Sequence, residues 1–496
     1  MAKDNRDQLG RRTFINRMAF AAGASSLSPV FGTQAKAAEE SSDSRHIPSP
    51  GATKRLAEYA ASLRYEDIPQ DVRRRIVDAI ADTAAVILYG GKLEWSQIVI
   101  AHAKRTGPNG KSAILGAGNV RVQAPSAALA HGTMAHAFEM DNLTDPDSGS
   151  HPGASMFSAG LAIAQERGLS GKDLVTAMAA GAEVMIRVGR AAQGTLEPRG
   201  FHAPGTTGPF GGAVAGGKLL GFDAAKIANA IGIAGSLSGG LLEFTHSNDG
   251  AMVKKLHLGR AAESGVLAAS LAADGFTGPS SVLEGQAGYL HAFCDSTDAT
   301  ELVKDLGREF VARDIMMKRF ACHITAHRPV EAMLNLRAEH KFTAADVKTI
   351  TITGNQRMAT TNNIPAPPDV LLAQYSIPFS VALSLYRNPV DPDSFDDNVA
   401  KDRQILAMAQ RVKMLAAPGQ TREQLTSLVA VELNDGRTVS TRVQDFLGTP
   451  KRPFDRAGLK EKFMLNTKRF PQAQMERMFE RLQNIETEPN LDWLTA

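Results

Sequence analysis

From Thr53 to about Leu306 the chain is dominated by Ala, Gly and Leu, with apolar residues at helical spacing, and this pattern constrains the fold most. Leu56, Tyr59, Ala60 and Leu63 mark one apolar stripe; Ile76, Ala79, Ile80, Thr83, Ala84 and Ile87 mark the next. Steps of three and four residues bring side chains to one helix face. Runs rich in small residues follow at 127–130, 159–164, 177–182 and 261–273. Small side chains let helix axes approach closely, so a tightly packed bundle is expected rather than alternating strands and helices.

The pattern changes after Lys318. Residues 347–353 and 428–433 alternate and are rich in β-branched side chains, and Asn434-Asp435-Gly436 is a hairpin turn signal. Helices are expected at 329–340, ahead of these strands, at 376–386, between them, and a last one at 473–485. The expected fold class is mainly α, a large all-helical domain plus a smaller α+β lid domain. The boundaries read as 52–312 for the helical domain, 313–451 for the lid, and 452–496 for C-terminal helices returning to the helical domain. At 496 residues the chain is long enough to bury a core in each.

The amino terminus reads differently. Gly10-Arg11-Arg12-Thr13-Phe14-Ile15 is an arginine pair followed by an apolar stretch, 18–31, and then Ala35-Lys36-Ala37. Residues 1–37 are therefore expected to be a twin-arginine signal peptide and 38–51 a flexible leader, which places the mature protein in the periplasm. The signal holds six Lys/Arg and two Asp/Glu, leaving 49 basic against 50 acidic residues beyond it. The remaining chain thus has no basic excess to attract nucleic acid or an anionic membrane, and its aromatic content of 6% is low for base stacking. With only Cys294 and Cys322, neither a disulfide framework nor a thiolate zinc cluster is available.

Two glycine-rich segments resemble nucleotide loops and fail on detail. Gly107-Pro108-Asn109-Gly110-Lys111-Ser112 has Arg105 where a phosphate loop needs its first glycine, and the 205–217 glycines follow no strand.

Four segments concentrate ionisable residues in this apolar background. The first runs from His131 through His136, Glu139, Asp141 and Asn142, with His136 and Glu139 expected on one helix face, and leads to His151-Pro152-Gly153. His151 opens the next helix, where free N–H groups welcome an anion. The second is Gly200-Phe201-His202 with Thr206 and Thr207 beyond it. The third, Lys254 to Arg260, places Lys254, His257 and Arg260 in one cationic stripe and leaves Lys255 on a solvated face. The fourth is Lys318-Arg319-Phe320-Ala321-Cys322-His323 with His327. His323 and His327 have zinc-ligand spacing, but no HExxH and no third ligand accompany them, so no metal is expected.

On the stretches 56–90, 131–153, 199–221, 252–285 and 318–327 the chain resembles the MmgE/PrpD family, which includes 2-methylcitrate dehydratases, cis-aconitate decarboxylases and iminodisuccinate epimerases. The resemblance covers residues 52–485. It implies a helical domain, an α+β lid, a cleft between them, a homodimer, and catalysis without metal or other cofactor. It places Glu139 or Asp141, His151, His202, Lys254, Lys318 and His323 along the cleft. Two motifs depart from the usual family pattern. Glu139-Met140-Asp141-Asn142-Leu143 stands for Asp-Phe-Asp-Asp-Thr, and Ala203-Pro204 follows His202 in place of Pro-Thr, moving the threonine to Thr206.

Chemistry of this kind moves a proton at a carbon next to a carboxylate, which needs a base and cations to hold enolate-like charge. His151 and His202 are assigned to proton transfer, Lys254 and Lys318 to carboxylate binding, and Asp141 to orienting a histidine. Glu139, His257, His323 and Thr206 complete the expected substrate contacts. The expected activity is a metal-independent lyase, dehydratase or decarboxylase, on a small di- or tricarboxylate such as 2-methylcitrate or cis-aconitate. An epimerase of a dicarboxylate such as iminodisuccinate ranks second, and a non-catalytic carboxylate-binding protein third.

Overall fold

The computed structural model describes residues 51–144, 148–245, 251–417, 419 and 426–495. The twin-arginine segment, and all of the leader but Gly51, lie outside the described residues. The protein is mainly α. Ala52–Ser62, Gln70–Gly90, Glu94–Thr106, Ala124–Ala135 and Ser158–Arg167 are followed by Gly171–Ala191, Ala203–Leu219, Ala224–Ser236 and Val253–Ala273. Their apolar faces form one continuous core that includes Leu56, Ile80, Phe157, Val184, Phe210 and Leu258. Local signals set the ends: Ser170 caps Gly171–Ala191 by accepting from the Asp173 amide, while Asp173 accepts from the Ser170 amide. Among the described residues no helix is long and apolar enough to cross a membrane.

The small residues act where the helices cross. A Cβ on Gly132 would stand 2.6 Å from the Leu258 carbonyl oxygen, and one on Gly259 would stand 2.6 Å from that of Leu129. Only glycine permits this approach of Ala124–Ala135 to Val253–Ala273. The crossing carries Lys254 and Lys255, in the first turn of one helix, to the segment that leaves the other.

A second core is built on a four-stranded sheet in the order Val412–Ala416, Val347–Gly354, Ser427–Leu433, Thr438–Val443. The first two strands pair parallel and the rest antiparallel. Val347, Ile350, Ile352, Val429, Val431 and Leu433 alternate inward against Ile324–His340 and Ile377–Tyr386. The sequence reading omits the Val412–Ala416 strand, which is short and ends exposed. It also starts the first of these helices at Pro329, whereas the helix begins five residues earlier, capped by His323. Arg456–Asn466 and Gln472–Gln483 pack on Gln70–Gly90 in the first core.

The two cores meet around residues 136–144. Phe138, Met140 and Leu143 insert into the sheet core, together with Val86 and Tyr89. Leu143–Thr144 pairs with Ile315–Met316 in a two-stranded ladder, Leu143 opposite Met316, so Lys318 arrives beside Asp141. The helix expected to carry His136 and Glu139 on one face ends at Ala135. His136 is its C-cap, and Glu139 takes a left-handed conformation at φ 57°. The chain breaks there because Phe138 and Met140 are drawn into the other core, which turns Glu139 and Asp141 the opposite way.

Candidate active site

A cavity of about 610 Å³ opens between the two cores. Its inner wall includes His136, Glu139, His151, His202, Lys254 and Lys318, with His323 and Tyr375 on the sheet side.

Asp141 is buried immediately behind two of the imidazoles. Its Oδ2 lies 2.8 Å from His136 Nδ1 and 2.6 Å from His151 Nδ1. Burial raises the Asp141 carboxyl, yet His136, His151 and Lys318 together hold it well below the usual carboxylate range. An ionised carboxylate only accepts, so each Nδ1 donates. Burial holds His136 well below the ordinary imidazole value, against the pull of Asp141. Asn142 anchors this loop: its amide donates to Thr83 Oγ1 at 2.8 Å and to Asp82 at 3.1 Å, and its oxygen accepts from the Gly153 amide at 2.8 Å. One residue therefore fixes both ends of the segment that presents Asp141 and His151.

Glu139 is the anion of a lysine cluster. It pairs with Lys254, with Lys255 at 3.5 Å and with Lys318 at 3.2 Å, and Lys318 also lies 3.8 Å from Asp141. Burial, followed by Lys255 and Lys318, pushes the Lys254 ammonium well below its ordinary value. Lys255 is pushed down to about 7, chiefly by burial. The expectation of a solvated Lys255 is thus corrected: it is 3% exposed, because the close crossing at Gly132 and Gly259 brings the first helical turn inward. The expected cationic stripe does not form either. Arg260 is exposed and pairs with Glu263, while Lys254 is buried.

His202 caps Ala203–Leu219 and is held by its amide on the Gly240 carbonyl at 3.0 Å. Its Nδ1 lies 3.1 Å from His257 Nδ1, so one of these nitrogens donates to the other. Burial, then His136 and His257, keeps His202 well below the usual imidazole range. His257 stands behind His202 rather than on the cavity wall. Thr206 is corrected as a cavity contact: it is buried in its helix, donating to the Ala203 carbonyl and bonded to Tyr289 at 2.8 Å. Thr206, four positions beyond the cap, falls on the core side of the helix.

His323 engages Thr325 through Nδ1 at 2.8 Å and packs at 4.9 Å against Tyr375, tilted by 32°, whose ring also lies 4.6 Å from the Lys254 ammonium. Neither Tyr375 nor the pair Glu197 and Arg357 at the cavity mouth was expected from the sequence. Glu197 and Tyr375 sit in turns and Arg357 in the single helical turn Gln356–Ala359, with no neighbouring cluster of ionisable residues to mark them.

His136, Asp141 and His151 place one donor atom each within 4.8 Å of one another, a possible metal triad. The chemistry of the donor set opposes it. Asp141 Oδ2 is already shared by two N–H groups at hydrogen-bond distance, and Lys318 brings a cation to the same carboxylate. His323 and His327 do not converge: His327 faces the Cys322 carbonyl at 3.3 Å and packs on Phe320 and Phe446.

Comparison with known proteins places this geometry in a family. Residues 54–302 match the MmgE/PrpD N-terminal domain and residues 320–485 the MmgE/PrpD C-terminal domain. A cis-aconitate decarboxylase from Aspergillus terreus is 28% identical over 424 residues, 80% of this chain and 86% of the relative. The human cis-aconitate decarboxylase is 26% identical over 460 residues, 90% of this chain and 94% of the relative. The 2-methylcitrate dehydratase of Escherichia coli is 24% identical over 284 residues, 53% of this chain and 57% of the relative. With matches that span both cores and the cavity between them, the chain belongs to the MmgE/PrpD family.

Proposed function

We propose that this chain is a metal-independent lyase that removes carbon dioxide from a small unsaturated tricarboxylate of the cis-aconitate kind. One observation carries the reading: a single buried carboxylate, Asp141, holds two imidazoles as Nδ1–H donors beside three lysines at the inner end of the cavity. The decarboxylase relatives support carbon–carbon cleavage over dehydration, because they align across 80–90% of the chain and the dehydratase across 53%.

The lysines receive carboxylates and carry the charge that develops on them. As the bond to the departing carboxylate breaks, its electron pair enters the conjugated system and carbon dioxide leaves. A proton then closes the balance at a carbon next to a remaining carboxylate. His151, hydrogen-bonded through Nδ1 to ionised Asp141, delivers that proton from Nε2, and His202 on the same cavity wall is the second proton-transfer group. Glu139 keeps three lysines together that would otherwise repel one another.

Incubating the purified protein with cis-aconitate, 2-methylcitrate and iminodisuccinate tests this, following carbon dioxide, unsaturation and chirality. Carbon dioxide from cis-aconitate is expected. Water loss from 2-methylcitrate alone would establish a dehydratase, inversion of iminodisuccinate alone an epimerase, and binding without turnover a carboxylate-binding protein. Export through residues 1–37 and assembly as a homodimer belong to the same proposal. Retention in the cytoplasm after Arg11→Lys with Arg12→Lys, and light scattering on the purified chain, check them.

A further inference from the structure

The lysine and histidine cluster occupies only the inner end of a cavity of about 610 Å³. Toward the mouth the wall carries polar side chains from both sides, with Glu197 on the helical side and Asn355, Arg357 and Asn362 on the sheet side. Arg357 lies in the single turn Gln356–Ala359, which is capped by Asn355 accepting from the Met358 amide at 3.1 Å. Its Nη1 pairs across the cleft with Glu197, and the two side chains keep 34% and 23% of their exposure. Among the described residues, Glu197 is its side-chain hydrogen-bond partner. A guanidinium carries five N–H donors in a planar fork, so the edge not engaged by Glu197 can take a second carboxylate in two parallel bonds.

Arg357 is also coupled to the inner cluster. After burial, its charge is the next cause that lowers His323. The His323 ring packs at 4.9 Å against Tyr375, and Lys254 lies 4.6 Å from the same ring. Lys254, Tyr375, His323 and Arg357 thus form one wall from the inner end to the mouth.

We infer that Arg357 binds the carboxylate of the substrate most distant from the reacting carbon, with Glu197 holding the fork in place, so that the cleft selects polycarboxylates whose acid groups reach both ends. The inference rests on the cleft being a carboxylate-processing site. A simple clasp between the two sides, with no ligand contact, is the competing account.

Calorimetric titration of the full chain with tricarballylate, a saturated tricarboxylate, and with succinate, which lacks the third acid group, separates the two. Arg357→Gln is expected to weaken tricarballylate about 10- to 100-fold and succinate less than about threefold. Arg357→Lys should recover part of the loss, since it restores charge without the fork. With cis-aconitate, the Arg357→Gln loss should appear in KM more than in kcat. Equal weakening of both ligands, or of neither, overturns the inference. So does recovery of tricarballylate binding in the swapped pair Glu197→Arg with Arg357→Glu, which rebuilds a clasp but puts the cation elsewhere. A wild-type protein that binds neither ligand would overturn the reading of the whole cleft, a different result from a wild-type protein that binds both and an Arg357 variant that does the same. Unchanged thermal midpoints in the variants confirm that the fold is intact.

Discussion

His151 Nδ1 stands 2.6 Å from Asp141 Oδ2, the shorter of the two imidazole contacts that this one oxygen accepts. The contact fixes which nitrogen of His151 carries hydrogen, and it stabilises the charged ring whenever His151 holds a proton.

Asp141→Asn keeps the shape and removes the charge. The amide oxygen can still accept, but the imidazolium loses its counter-charge, so kcat is expected to fall by about 10²–10⁴-fold, the range typical of a general acid–base group. KM should change little, because the lysines remain. Steady-state kinetics across pH check this, and a variant with wild-type kcat would remove Asp141 from the chemistry.

Lys255 gives a pH signature. Its ammonium is pushed down to about 7, mainly by burial, so at pH 8 it is largely neutral in the free protein. A bound anion raises that value and draws a proton in. Affinity for tricarballylate should therefore fall as pH rises through 7 to 9, and binding at pH 8 should take up protons. The sign follows from the bound state holding more protons than the free one. Calorimetry in buffers of different ionisation enthalpy reads it directly, and Lys255→Met should abolish most of the uptake.

Beneath the site, Lys462 pairs with buried Asp82 and reaches the Met140 carbonyl at 3.3 Å. Lys462→Met strands a buried carboxylate and is expected to cost about 3–5 kcal/mol, with most of it recovered when Asp82→Asn is added. Burial already raises the Asp82 carboxyl, so the single variant should carry that group protonated. Urea denaturation midpoints of the two variants test the coupling.

At the glycine crossing, Gly132→Val would drive new atoms against the carbonyl oxygens of Leu258 and Ala154, at 2.6 and 2.8 Å from the first added carbon. Overpacking of this kind costs about 1–3 kcal/mol. Here it should also displace Lys254 and Lys255, so kcat should fall even in molecules that remain folded. Comparing the denaturation midpoint with activity per folded molecule separates the two effects.

Much of the candidate site's lining was legible in the sequence, because a buried, Gly/Ala-rich helical background makes His151, His202, Lys254 and Lys318 conspicuous. Helical periodicity likewise gave the class of the larger part, and β-branched alternation at 347–353 and 428–433 marked the strands found at Val347–Gly354 and Ser427–Leu433. Tertiary structure alone decided the rest. Lys255 reads as a surface residue until two helices cross at glycines, and Glu139 reads as a helix position until Phe138 and Met140 are pulled into the other core. The choice between Glu139 and Asp141 dissolved in the same way: one collects the lysines and the other the histidines. Periodicity determines which face of an element is buried. Which charged groups then meet depends on contacts between residues more than a hundred positions apart, such as Glu139 with Lys254, and no local pattern encodes those distances.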